Sequence, residues 1–165
     1  MKTSNYTYKK QMSYSRKKYM GGIPGSKIVR FTMGNTGREF SHRIKMINLK
    51  AGQIKHNALE SARIAAMRHL EKYVERANFM LKIVTYPHEV LREHKRVNIA
   101  QADRFQSGMR QAFGKPVAVA ARVKKRRTIL LVEVEEEHVS QAKEALRKAS
   151  HKMSLPVKIL QEELD

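Results

Sequence analysis

The sequence has no cysteine, few acidic side chains and no apolar run longer than the five residues Val117-Ala118-Val119-Ala120-Ala121. Without cysteine there is no disulfide, no thiolate nucleophile and no cysteine-based zinc site. A five-residue apolar run is far too short to span a membrane. The opening Met1-Lys2-Thr3-Ser4-Asn5 is polar and lacks the apolar stretch of a secretory signal, so a cytoplasmic protein is expected. Only 15 Asp+Glu face 34 Lys+Arg, a net charge of +19 in 165 residues. That shortage of acid argues against a small-molecule enzyme with a neutral surface. It points to a polyanionic partner: RNA, DNA or an anionic membrane. The 41% hydrophobic content leaves enough for a folded core, and the length suits a single domain.

The positive charge is uneven. Residues 1–50 hold 12 basic and 1 acidic side chains, residues 51–100 hold 9 and 5, and residues 101–127 hold 8 and 1. Residues 128–165 reverse the balance, with 5 basic and 8 acidic. The whole excess therefore lies before Thr128, as a nucleic-acid footprint on one part of a fold would require.

Residues 1–26 place Tyr6, Tyr8, Tyr14 and Tyr19 among Lys9, Lys10, Arg16, Lys17 and Lys18, with no sustained period of 2 or 3.6. They read as a basic extended arm whose cations meet phosphates and whose rings stack on bases. Gly21-Gly22-Ile23-Pro24-Gly25 makes a hinge to a globular body spanning 27–165. Strands are expected over Ser26–Met33 and Phe40–Leu49, separated by the turn Gly34-Asn35-Thr36-Gly37. A helix is expected from Asn57, as N-cap with Glu60 completing a capping box, to Ala77. Its apolar stripe is Leu59, Ala62, Ala66, Met67, Leu70, Tyr73, Val74 and Ala77. Phe79–Tyr86 reads as a strand and Val90–Lys95 as a weaker one.

Val117–Val123 and Thr128–Val134 read as two strands of a hairpin whose tip carries Lys124, Lys125, Arg126 and Arg127. Turns ordinarily use Gly, Asn or Asp, so four adjacent cations there suggest phosphate contact. A second helix follows over about His138–Met153, with Glu135, Glu136 and Glu137 at its positive end and Arg147, Lys148 and Lys152 at its negative end. Val157–Leu160 is a closing strand.

Residues 99–116 form a long loop without helix or strand period, and such loops are commonly functional. Arg104, Arg110 and Lys115 would hold phosphates there, and Phe105 and Phe113 would stack on bases. The i, i+4 spacing of Phe105, Met109 and Phe113 also fits a short packed helix. Gly108 to Pro116 superficially resembles a phosphate-binding P-loop. It fails the test, because five residues separate the glycines and Pro116 stands where a hydroxyl is needed. The seven histidines show no metal-binding spacing and read as surface or RNA-facing residues. No local motif of Ser, His and acid supports catalysis, and no metal or cofactor is expected. Both helices carry mixed-sign polar faces, unlike a membrane-surface helix.

Ala102-Asp103-Arg104-Phe105-Gln106-Ser107-Gly108-Met109-Arg110, followed by Ala112-Phe113-Gly114-Lys115-Pro116, resembles the signature loop of the universal large-subunit ribosomal protein L-sixteen family, in its archaeal and eukaryotic L-ten-e branch. Gly21-Gly22-Ile23-Pro24 with Lys27-Ile28, Ala58 to Ile64, Glu144 to Ala149, and Leu155-Pro156-Val157-Lys158 resemble further parts of that family in the same order. Glu75-Arg76-Ala77-Asn78 departs from it in lacking a glycine between helix and strand. Ile99-Ala100-Gln101 lacks the Cys-Ala-Gly of eukaryotic members, which suggests an archaeal-type protein.

The resemblance implies an α+β fold, with a mainly antiparallel sheet packed against two helices. It implies no enzymatic activity, and a structural role in binding large-subunit rRNA and positioning A-site tRNA near the peptidyl-transferase centre. Neighbouring ribosomal proteins would be partners, with no membrane contact and no homo-oligomer. It carries RNA contact onto Arg104, Gln106, Met109, Arg110, Phe113 and Lys115 in the loop, and onto Tyr14, Arg16, Lys17, Lys18, Lys27 and Arg30 in the arm. A free RNA-binding regulator or RNA chaperone would use the same charges.

Overall fold

A computed structural model describes residues 17–93 and 114–164, which form two helices and eight strands in two antiparallel sheets, an α+β architecture. After a short 3-10 turn at Lys17–Tyr19, the strands are β1 (Thr32–Gly34), β2 (His42–Asn48), β3 (Gly52–Lys55), β4 (Phe79–Ile83), β5 (Glu89–Glu93), β6 (Lys115–Val123), β7 (Thr128–Val134) and β8 (Val157–Glu163). Helix α1 (His56–Tyr73) lies between β3 and β4, and α2 (Val139–Ser150) between β7 and β8. One sheet has the order β1-β4-β7-β2-β8 and the other β3-β6-β5.

Alternation decides which face of the large sheet is covered. Ile44 and Met46 of β2, Phe79 and Leu81 of β4, and Leu130 and Val132 of β7 are buried against Leu59, Ala62, Ala66 and Leu70 of α1 and Ala142, Ala145, Leu146 and Ala149 of α2. The alanines keep the helices close to each other and to the sheet. The uncovered face carries cross-strand ion pairs: Arg43 with Glu133 at 2.6 Å, and Lys45 with Glu162. Gly34, at φ +88, is required where β1 meets β4, since a Cβ there would lie 2.2 Å from the Phe79 carbonyl oxygen.

The expected hairpin of the two strands flanking Lys124–Arg127 does not form. β6 already has β3 and β5 as neighbours, and β7 already has β4 and β2, so neither offers a free edge to the other. Instead β2 pairs with β7 as far as Ile47 with Thr128, and β3 resumes against β6 from Gly52 with Val123. The two chain runs make one ribbon that passes from sheet to sheet. Lys124–Arg127 is the corner of that ribbon, not its tip.

Other boundaries shift for local reasons. The strand expected from Ser26 is reduced to Thr32–Gly34, because upstream amides find side chains instead: Lys27 N donates to His56 Nδ1 at 2.9 Å, and Ile28 N to Ser26 Oγ at 3.1 Å. Helix α1 begins one residue before the expected Asn57 cap, with Lys55 in the cap position and no side-chain cap bond. Glu60 bonds Arg63 one turn ahead and does not close a capping box. The helix ends at Tyr73, and Ala77 lies beyond it in a 3-10 turn. The strand expected over Phe79–Tyr86 ends at Ile83, and the one over Val90–Lys95 runs Glu89–Glu93.

The end of the expected 99–116 loop is ordered strand, since Lys115 and Pro116 open β6. Helix α2 is preceded by a 3-10 turn at Glu136–His138. Glu135, expected at the helix's positive end, is held by Ser41 Oγ at 2.7 Å and Arg38 at 3.0 Å. Two histidines are interior, not surface, residues: His56 starts α1 against the incoming chain, and His69 packs beside Lys148 of α2.

Candidate nucleic-acid interface

The corner of the ribbon is organised by one buried amide. Asn48, fully buried at the end of β2, accepts from Arg127 N through Oδ1 at 2.9 Å and donates through Nδ2 to Lys50 O at 2.8 Å. Its own amide donates to Arg127 O at 3.1 Å, and its carbonyl accepts from Arg126 N at 2.8 Å. Arg127 N also donates to Lys124 O at 3.2 Å. The Arg126 and Arg127 amides and the Lys124 and Arg127 carbonyls are thus bonded inside the protein, which fixes the turn while its side chains stay exposed. Lys124, Lys125, Arg126 and Arg127 are all exposed, as is Lys50 on the facing turn. Among the described residues none of these five is paired with a carboxylate.

Arg126 sits at φ 61, in the left-handed region where glycine or asparagine is at less cost. An arginine kept there, in a rigid turn with three other exposed cations and Lys50 on the facing turn, suits a polyanion. Guanidinium forks and ammonium groups bind phosphate oxygens without needing a base sequence.

Several acids, by contrast, are bonded to a local cation: Glu60 to Arg63, Glu133 to Arg43, Glu135 to Arg38, Glu144 to Arg147 and Glu162 to Lys45. Glu135 is held below the ordinary carboxylate range by the Ser41 hydroxyl first and by Arg38. Glu144 is lowered by its bonds from Arg147, at 2.8 Å. A groove of about 420 Å3 between α2 and β8, lined by Ser140, Lys143, Glu144, Arg147 and Ile159 among others, carries both signs and none of the expected RNA contacts.

Of the arm residues, Lys17, Lys18, Lys27 and Arg30 are described and exposed, while Tyr14 and Arg16 lie outside the described residues. The Lys27 amide is tied to His56, whose pKa is kept low by burial, then by Lys27 and Lys55. The chain leaving the arm is therefore fixed to the first residue of α1.

In the loop, Arg104, Gln106, Met109, Arg110 and Phe113 lie outside the described residues. Its two flanks do not: Glu93 pairs with Lys115 at one end of the small sheet, so 94–113 leaves and returns at a single place. Lys115 is exposed there. Lys115 and Val123 are the two ends of β6, so loop root and basic corner stand about 26 Å apart on one strand. The structure thus brings the four turn cations together with Lys50 and holds Lys115 at a distance from them. Lys50 and Asn48 were not foreseen. Neither has a local sequence signal, because only the pairing of distant strands places them at the corner.

Among the described residues there is no group of three or more His, Asp or Glu able to hold a metal ion, and no helix long and apolar enough to cross a membrane.

A family model for ribosomal protein L16p/L10e matches residues 4–160. The chain is 48% identical over 155 residues to the large ribosomal subunit protein uL16 of Staphylothermus marinus, covering 94% of this chain and 89% of the relative. It is 49% identical over 148 residues to the protein of the same name from Methanosphaerula palustris (90% and 86% covered). It is 44% identical over 149 residues to that of Sulfolobus acidocaldarius (89% and 85% covered).

Proposed function

Because the chain belongs to the ribosomal protein L16p/L10e family, and is a structural protein rather than an enzyme, we propose that it is built as a single copy into the large ribosomal subunit, binds rRNA there and helps position A-site tRNA near the peptidyl-transferase centre. The observation that carries the rRNA part is the ribbon corner, where Asn48 fixes the backbone and five cations have no carboxylate partner among the described residues. In this reading the arm (1–26) and the body (27–165) act as one unit. Lys17, Lys18, Lys27 and Arg30, with Tyr14 and Arg16, line the arm's contact. Lys124, Lys125, Arg126 and Arg127 clamp phosphates at the corner.

The loop, with Arg104, Gln106, Met109, Arg110, Phe113 and Lys115, is the part that reaches tRNA. Its mounting supports this. The loop's described flanks, Glu93 and Lys115, pair at one end of the small sheet, and the corner at the other end of β6 is placed to fix the sheet to RNA.

Sedimentation of a gently made lysate at low salt tests the reading. One copy of the protein per large subunit is expected, with release as salt rises. A chain that stays at the top of the gradient refutes it, and one found on RNA in substoichiometric amounts outside subunits assigns it to a free RNA chaperone instead. For the tRNA part, subunits reconstituted with the double variant Arg104→Ala and Arg110→Ala are expected to assemble but accommodate A-site tRNA poorly. Normal accommodation removes the loop from that role.

A further inference from the structure

We infer that Tyr86 is a stacking platform for an unpaired nucleobase, on the extended link that joins the two sheets. This site rests on the reading of the protein as RNA-bound, and it lies away from the arm, corner and loop.

From β4 onward the chain alternates strictly: Lys82, Val84, Tyr86 and His88 are exposed, while Ile83, Thr85, Pro87 and Glu89 are buried. Tyr86 is 62% exposed and Val84 42%, and Val29 on the neighbouring run, which passes beside the link where Ile83 N donates to Phe31 O at 2.7 Å, is 84% exposed. Large apolar side chains grouped this way imply a covering partner. The platform is stiff. The Tyr86 ring lies 5.5 Å from that of Phe31, tilted by 30°, and Phe31 packs on the main core. Its backbone is held by His88, whose Nδ1 is 2.9 Å from Tyr86 O.

The chemistry around it selects the partner. Residues 27–34 and 79–88 contain Lys27, Arg30 and Lys82 and no acid at all, and the next carboxylate, Glu89, is buried. Glu133, opposite Met80 on the adjoining strand, is bonded to Arg43, so a rigid exposed ring on chain runs that carry only cations fits a base whose flanking phosphates are drawn to Arg30 and Lys82. An apolar protein neighbour would leave those three cations without a counter-charge.

The chain has no tryptophan, so Tyr86→Trp installs a single indole emitter in the full-length protein. It is titrated with an oligoadenylate of about a dozen nucleotides, and separately with inorganic polyphosphate, which has the charge but no bases. Both are expected to bind, and only oligoadenylate to quench the indole. Tyr73→Trp, on α1, is expected to be quenched by neither. Tyr86→Ala is expected to weaken oligoadenylate binding about tenfold, with polyphosphate binding unchanged and only a small fall in the thermal midpoint from the lost Phe31 contact, and Tyr86→Phe to restore both.

If oligoadenylate binds without quenching the indole at position 86, the stacking site falls while the RNA reading stands. If neither polymer binds, both fall. An indole that becomes blue-shifted but not quenched in assembled large subunits gives the patch to a protein neighbour and overturns the site.

Discussion

The large and small sheets are made of the same antiparallel pairing but differ in what stands behind them. The five-stranded sheet has both helices on one face and contributes Ile44, Met46, Phe79, Leu81, Leu130 and Val132 to the main core. The three-stranded sheet changes character along β6. Near the corner, Ala121 and Val123, with Ile54 of β3, join that same core. Toward the loop, Ala118 and Ala120 with Leu91 of β5 form a separate small cluster against Val117. The corner is thus anchored in the best-packed part of the molecule, and the loop root stands on its thinnest support. The proposed reading, a rigid RNA clamp at the corner and a tRNA-facing loop, calls for that difference.

The sharpest way to break the comparison is to cut equal-sized holes in the two cores. Leu81→Ala removes a fully buried side chain from the helix-covered face and is expected to cost about 4–5 kcal/mol in urea unfolding. Leu91→Ala, in the small cluster, is expected to fall near the low end for such truncations, about 2 kcal/mol. Hydrogen exchange should show β5 amides opening at lower free energy than those of β2 and β7. Equal costs and equal protection would mean the two sheets share one core after all.

A smaller effect tests the corner's dependence on one side chain. Asn48→Ala leaves Arg127 N–H only its longer bond to Lys124 O and removes the donor to Lys50 C=O, and about 1–2 kcal/mol of stability is expected to go with them. Asn48→Asp keeps the acceptor for Arg127 but sets a buried carboxylate oxygen against Lys50 C=O, and should cost at least as much. If Asn48→Ala unfolds the protein no more easily than the wild type, the turn holds itself.

Acid should act on the helix side of the large sheet. His56 and His69 both have folded pKa values below the ordinary 6.5, through burial first. Lys27 and Lys55 then add to the effect at His56, and Lys148 and Lys72 at His69, where Gln141 and Glu144 oppose it. The unfolded chain therefore takes up these protons first as pH falls. Stability is full above about pH 6.5 and declines as pH drops from there toward the folded values. Thermal midpoints measured on either side of pH 6.5 check this, and His69→Gln should flatten part of the slope. A midpoint that rises on acidification would overturn the assignment of both histidines as neutral interior groups.

Much of the large sheet was legible in the sequence because burial there follows period. The stripe Leu59, Ala62, Ala66, Leu70 and the run Thr128–Val134 were read correctly as helix and strand. β3 was not, because Gly52-Gln53-Ile54-Lys55 has no apolar alternation. Gln53 is buried by its position between sheets rather than by its chemistry. The cations of the corner were legible as a cluster, but their setting was not. Adjacent strands with a short turn suggest a hairpin, and only the free edges of distant partners decide otherwise. The same holds for Tyr86, which reads as the end of a strand until Val29 and Phe31 are laid beside it.

The smallest expected effect is the most discriminating, because it has opposite signs in two measurements. Arg126 adopts φ 61, which costs an L residue with a side chain about 1–2 kcal/mol. Glycine avoids that cost but gives back about 0.5–1 kcal/mol in backbone entropy. Arg126→Gly is therefore expected to stabilise the free protein by up to about 1 kcal/mol. The same change removes a cation from the corner, so rRNA binding should weaken and the salt dependence of log K should fall by about one unit of slope. Arg126→Lys keeps both the charge and the strained backbone and should alter neither quantity much. If Arg126→Gly stabilises the protein and leaves the salt slope untouched, the corner is a structural bend that happens to be basic, and the anchoring role passes to the arm. If stability rises while binding falls, the strain at Arg126 is retained for the RNA, and the well-packed end of β6 is where the protein is held.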